Sequence, residues 1–175
     1  MQLKTCCVIS DYLENQYLDN HYYIELKSKL KERFLYMVVQ LHVLHFMSGV
    51  NIGVEQCAVE ALLELKKEYH NIIIECVLPY ETLSSNWTEL QRDRYFSIMK
   101  KIDKETLLQC HYTNDCIVKR NKYMVDKSKF IIKIHDNNEK SGIDNLISRT
   151  KNTKKIIFDV NINSLNVNTN IKICR

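Results

Sequence analysis

Short apolar runs and helical stripes alternate along almost the whole chain. Leu3 to Ile9 is rich in apolar and β-tolerant residues and reads as a buried first strand. After a polar stretch, Tyr23, Leu26, Leu30, Phe34, Met37 or Val38, and Leu41 recur at steps of three and four, with Asp19 or Asn20 placed to cap. That spacing predicts a long amphipathic helix. Val43 to Met47 predicts a second strand, and Val54, Cys57, Ala58, Ala61, Leu62 and Leu65 a helix whose outer face carries Glu60, Glu64 and Lys67. Ile72 to Leu78 predicts a third strand, stopped by Pro79. Thr88 with Gln91 forms a capping box opening a helix through Tyr95, Ile98, Met99 and Ile102. Thr106 to Cys110 predicts a short fourth strand, and Asn114 or Asp115 caps a helix using Ile117, Val118, Met124 and Val125. Phe130 to Ile134 predicts a fifth strand, Ile143 to Thr150 a short helix, and Ile156 to Val160 a sixth strand.

Strands alternating with helices imply an α/β Rossmann-like three-layer sandwich. Its mostly parallel sheet of about six strands carries helices on both faces, because parallel crossovers lay helices over the sheet. No repeat or composition break divides residues 1–160, which read as one domain. Residues 161–175 hold five asparagines in their first ten positions and read as an edge strand or a disordered tail. In such sheets ligands bind outside the carboxyl ends of the strands. Candidate chemistry is therefore sought in the strand-to-helix turns.

Composition sharpens that search. The 175 residues include only 3 glycines and 1 proline, so each glycine is informative. Residues 1–90 carry 7 basic and 12 acidic side chains and residues 91–175 carry 18 and 9, within a net charge of +4. Such asymmetry marks either a surface that receives anions or a solvated lysine face. Lys outnumbers Arg 19 to 6, which weakens a bidentate phosphate or base-reading role. The 7 cysteines are odd in number and include no CxxC, so they read as reduced core thiols of a cytoplasmic protein. Cys110, His111 and Cys116 lack a second ligand pair, and no metal is expected. His42 and His45 read as packing or surface groups. The first residues lack a signal-peptide apolar block, and the apolar run Phe34 to Val39 is too short to span a membrane.

The strongest local signal is Phe46-Met47-Ser48-Gly49-Val50-Asn51-Ile52-Gly53-Val54-Glu55. It sets two of the three glycines between a strand and a helix. There, missing side chains let backbone N-H groups approach a phosphate, and the helix dipole favours an anion. The plainer alternative is a tight turn that packs helix on strand. The spacing matches neither G-x-G-x-x-G nor G-x-x-x-x-G-K-[ST], so dinucleotide and P-loop fingerprints fail.

The segment SGVNIGVEQCAVEALLELKKEY is followed by a strand ending in Pro79, by Trp87, by Arg94-Tyr95, and by Cys116, Arg120-Asn121 and Met124-Val125-Asp126-Lys127-Ser128. In that order, from about Lys4 to Asp159, the chain resembles the YpsA-like family of the SLOG superfamily. These bacterial Rossmann-like domains are related to the DNA-processing protein DprA and to the cytokinin-activating phosphoribohydrolases. The resemblance implies a nucleotide or nucleotide-derived ligand. The implied binding set is Ser48, Gly49, Gly53, Glu55, Trp87, Arg94, Arg120, Asn121, Asp126, Ser141 and Gly142. Within it, Glu55 falls where an acidic residue suits the helix dipole and can accept a ribose hydroxyl. Arg120 can bridge phosphate oxygens and Asn121 can donate and accept to a base or ribose, with Asp126 orienting them. Trp87 and Arg94 belong to a loop and helix that can cover the pocket.

Departures from the family pattern bear on function. Where members follow the first strand with a Thr-Gly-His-Arg-like turn, this chain has Ile9-Ser10-Asp11-Tyr12, losing a glycine and a cation. Where they have Asp and a Gly-Gly-Thr-like turn, it has Asp136 and Ser141-Gly142-Ile143. The glutamate of the phosphoribohydrolase loop has no counterpart, and Cys57 and Cys116 lie on apolar helix faces. The expected function is binding or sensing of a nucleotide-derived ligand at a partly eroded site, leaning away from an enzyme. The alternatives are a protein-interaction or nucleic-acid scaffold and a nucleotide-processing hydrolase. A second copy of the chain is a further expected partner, nucleic acid is less favoured, and no membrane is expected.

Overall fold

The structure is a computed structural model that describes residues 3–10, 20–135, 142–150 and 153–174. The elements run β1 (Thr5–Ser10), α1 (Asn20–Leu41), β2 (His45–Ser48), α2 (Val54–Lys66), β3 (Ile73–Leu78), α3 (Glu89–Met99), β4 (Lys104–Leu107), α4 (Cys116–Lys127), β5 (Phe130–His135), α5 (Gly142–Ser148), β6 (Thr153–Asn161) and β7 (Val167–Cys174). They build one seven-stranded sheet in the order β4-β3-β2-β1-β5-β6-β7. All pairings are parallel except β6 with β7. The α/β Rossmann-like sandwich expected from the alternation is therefore present, with one strand more than the pattern predicts.

Alternation along the strands splits the core in two. Cys6, Val8, Phe46, Ile74, Cys76, Ile132 and Ile134 pack with α1, α2 and α3 on one face. Cys7, Ile9, Met47, Val77 and Ile131 pack with α4 and α5 on the other. Burial on both faces explains why these strands read as continuous apolar runs. On the first face Phe34 meets Phe46 edge-on at 5.4 Å. The stripe predicted for α1 is the buried one, with Leu26, Leu30, Phe34, Met37 and Val38 inside.

Local signals fix the boundaries. Thr88 Oγ1 accepts from the Gln91 N-H at 3.4 Å and Gln91 Oε1 from the Thr88 N-H at 2.9 Å, so the capping box opens α3. Asp115 stands at the α4 N-cap but its side chain makes no cap bond; it accepts from Thr113 at 2.7 Å and pairs with Lys119 at 3.0 Å. Strand β4 begins two residues before the predicted Thr106. Asp103 exchanges bonds with Ile74, accepting its N-H at 2.8 Å on the side chain and donating its own at 3.0 Å, which seats Lys104 opposite Glu75.

The asparagine-rich segment takes the edge-strand alternative, with β7 at the rim of the sheet joined to β6 by a hairpin turn. Asn161 Oδ1 accepts from the Asn163 and Ser164 N-H groups at 2.8 and 3.1 Å, a local side-chain turn, and β7 returns antiparallel along β6. Asp19, an alternative cap for α1, lies outside the described residues.

Candidate functional site

The strand order reverses between β1 and β5, and the carboxyl ends of β1, β2 and β5 therefore border the crevice where such sheets bind ligands. The turn from β2 into α2 forms one wall. Gly53, at the α2 N-cap, has φ 93° and ψ −119°, a backbone that L side chains rarely adopt. Gly49 is required for a different reason. A Cβ there would collide with the Glu55 carboxylate, lying 2.7 Å from its Cδ, and with the Arg120 guanidinium.

That carboxylate and guanidinium form the centre of the wall. Arg120 Nη1 donates to Glu55 Oε2 at 3.0 Å and Nη2 to Oε1 at 2.5 Å, a two-pronged pair. Arg120 also donates to Asn121 Oδ1, from Nε at 3.2 Å and Nη2 at 3.0 Å, while Asn51 N-H donates to Glu55 Oε2 at 2.9 Å. The two charged side chains are only 1% and 6% exposed. Glu55 comes from a helix on one face of the sheet and Arg120 from a helix on the other, so the pair clamps the two layers past the backbone of Gly49. Its charge is internally compensated. The guanidinium that the resemblance assigns to a phosphate is here engaged by Glu55 and Asn121.

Two polar atoms of the same turn have no partner among the described residues: Ser48 Oγ and Asn51 Oδ1 are buried and make no hydrogen bond to them. An unsatisfied buried group costs about 1 to 3 kcal/mol. Native proteins rarely carry such a cost without a compensating ligand or water.

The expected site residues separate into groups. Ser48, Gly49, Gly53, Glu55, Arg120 and Asn121 converge at the turn. Gly142 opens α5 at the same sheet end and is exposed, with nothing within 4 Å of a Cβ placed on it. Ser141, Asp11 and Asp136 lie outside the described residues. Asp126 lies further along α4 and pairs with Lys122, four residues before it. Trp87 packs edge-on to Tyr95 at 5.6 Å against the first-face core. Arg94 Nε donates to Glu60 Oε1 at 2.7 Å, Nη2 reaches the Tyr23 hydroxyl, and the guanidinium lies 4.4 Å from the Tyr23 ring centroid. Burial works to raise the Glu60 carboxyl, but Arg94 and Tyr23 outweigh it and hold it below its ordinary value. Burial pushes the Tyr23 phenol up and the Cys57 thiol to about 12.

Lys133 escaped the sequence reading. It sits on β5 opposite Ile9 of β1, beside the strand-order reversal, 6% exposed, with Nζ 2.6 Å from Asp144 Oδ2 and 3.7 Å from Asp159 Oδ1. The signal was present: one lysine interrupts the run Phe130-Ile131-Ile132-Lys133-Ile134. Asn51 was also passed over, because turn asparagines are common. The ring nitrogens of His45 lie 3.1 Å from Thr5 Oγ1 and 2.9 Å from Glu75 Oε2, linking β1, β2 and β3.

The YspA SLOG family model matches residues 15–169. The chain is 28% identical over 155 residues to a UPF0398 protein of Lactobacillus acidophilus, covering 85% of this chain and 82% of that protein. It is 28% identical over 123 residues to the UPF0398 protein YpsA of Bacillus subtilis, 69% of this chain and 66% of that one. It is also 25% identical over 119 residues to a UPF0398 protein of Halalkalibacterium halodurans, 67% and 63% of the two chains. Among the described residues, no helix is long and apolar enough to cross a membrane.

Proposed function

The chain belongs to the YspA SLOG family, and from that premise we propose that it binds a nucleotide-derived small molecule across the carboxyl ends of β1, β2 and β5, as a sensor rather than a catalyst. The observation that carries this reading is the pair of buried, unpartnered atoms, Ser48 Oγ and Asn51 Oδ1, in the glycine turn. They flank a backbone kept bare by Gly49 and held by the Glu55–Arg120 clamp. Asn51 Oδ1 accepts, so the group it meets carries an N-H or O-H, such as a ribose hydroxyl or an exocyclic amine. Because Glu55 compensates Arg120, the turn offers no uncompensated cation to a polyphosphate. Lys133, beside the reversal point, is likewise engaged, by Asp144 at 2.6 Å and Asp159 at 3.7 Å, which favours a ligand recognised through hydroxyls or amines over a polyphosphate.

Thermal melting with ATP, NAD, ADP-ribose and cyclic nucleotides tests the reading, together with native mass spectrometry of freshly purified protein. A ligand at 100 times its Kd stabilises by about 2.7 kcal/mol. At ~2 to 4 °C per kcal/mol for a domain of this size, the melt should rise by about 5 to 11 °C. Asn51→Ala should abolish the shift while leaving the unliganded protein folded. No shift with any of these compounds and no retained mass would sink the proposal.

A further inference from the structure

Charge in this molecule is sorted by sheet end as well as by halves of the chain. Helices in a parallel sheet run back against the strands, opening at the carboxyl end and closing at the amino end. Acidic side chains occupy first turns, Glu55 of α2, Glu89 of α3 and Asp144 of α5, and lysines occupy last turns, Lys66 of α2 and Lys127 of α4. The helix dipole favours both placements. It also accounts for Lys4, whose Nζ donates to the Leu41 carbonyl at the end of α1 at 2.8 Å, but not for Lys129 and Lys154, which enter strands at the same end. Lys4 precedes β1, Lys129 precedes β5 and Lys154 is the second residue of β6; all three are exposed, as are Lys67, Lys100 and Lys101 just after α2 and α3. Carboxylates nearby are already engaged: Glu68 lies 3.8 Å from Lys31, Asp103 pairs with Lys66, and Asp126 with Lys122.

The same face has relief. A groove of about 550 Å³ runs between α2 and α3, with Leu63 and Ile98 in its lining, Lys66, Lys67 and Lys101 where the two helices end, and the carboxylates Glu60 and Glu64, paired with Arg94 and Lys27 at 2.7 Å each. We propose that this amino-end face binds the phosphate backbone of nucleic acid without sequence preference, at the opposite end of the sheet from the ligand turn. Lysines serve as point charges that follow phosphates and read no base edges. A membrane-surface face would interleave its cations with large apolar side chains. Toward this end three are exposed, Leu3 before β1, Val39 in the last turn of α1 and Phe96 in the last turn of α3, against six exposed lysines.

Fluorescence anisotropy of the full chain with labelled single- and double-stranded oligonucleotides, across a salt series, tests the proposal. Lys67→Glu with Lys100→Glu is compared with Arg92→Glu and Lys119→Glu, an equal charge change in the first turns of α3 and α4, at the other end of the sheet. Each phosphate contact contributes a log-log salt slope of about 0.7 for single strands, so two lost contacts weaken binding about 25-fold near 0.1 M salt and lower the slope by about 1.4. The first-turn pair should shift affinity by less than about threefold, because those cations are away from the tracked backbone. Lys67→Gln with Lys100→Gln, which removes charge without reversing it, should show the same loss in protein whose melting point is unchanged. Salt-insensitive or absent oligonucleotide binding, equal loss in both charge-reversed pairs, or binding to anionic phospholipid vesicles alone would each overturn the proposal.

Discussion

Arg120→Met isolates what the clamp contributes. In the fold Arg120 satisfies both Glu55 oxygens and Asn121 Oδ1, and removing it leaves Glu55, 6% exposed, with only the Asn51 N-H. Stripping one partner from a buried pair costs about 3 to 5 kcal/mol, since the remaining charge is uncompensated in a poor solvent. For a domain of this size each kcal/mol lowers the melting temperature by ~2 to 4 °C, so the fall should be about 6 to 20 °C. The control is Arg120→Met combined with Glu55→Leu, which removes both charges and fills the space with apolar atoms. That replacement is often neutral for the pair itself, leaving chiefly the Asn51 N-H and Asn121 Oδ1 orphaned, at about 1 to 3 kcal/mol each. Urea denaturation followed by circular dichroism gives all the required free energies in one double-mutant cycle. A loss below about 1 kcal/mol for Arg120→Met, or a double variant as unstable as the two single losses added together, would refute the clamp.

Three further outcomes follow from the geometry. Gly49→Ala, whose Cβ must displace the clamp, should cost more than about 2 kcal/mol in urea unfolding, whereas Gly142→Ala meets nothing and should be neutral or stabilising by up to ~1 kcal/mol; equal effects would contradict the steric assignment. Burial works to raise the Glu75 carboxyl, but bonds from Thr106 and Lys104 and the nearby His45 outweigh it and hold it below its ordinary 4.5. Its contribution to stability is therefore fully present above pH about 4.5 and disappears as pH falls through the lowered value, so Glu75→Gln should flatten the acid limb of a stability-pH curve. Thr88→Ala should cost about 1 kcal/mol by opening the capping box of α3, and a change within error in the denaturation midpoint would count against it.

Several features were legible before any coordinates. Thr88 and Gln91 announced the start of α3 because a capping box is a bond between residues three apart. The apolar stripe of α1 announced its buried face because helical periodicity is local. Strand β4 was misplaced by two residues since its entry depends on Asp103 meeting Ile74, 29 residues earlier in the chain. At Asn161 the sequence fits both an edge strand and disorder, because asparagines favour turns in either setting and only pairing with β6 decides between them.

The site divides along the same line. The sequence by itself determined that the chain is α/β, that Gly49 and Gly53 stand between a strand and a helix, and that the chain resembles the YpsA-like SLOG family. Tertiary structure decided that Glu55 and Arg120, 65 residues apart, neutralise each other against Gly49. It also drew Arg94 to Glu60 and Tyr23, Asp126 to Lys122, and Lys133 to the reversal point of the sheet. The reason is physical. Periodicity, capping and turn chemistry depend on neighbours along the chain, whereas charge compensation in a low-dielectric interior depends on which groups strand order and crossover handedness bring within a few ångströms.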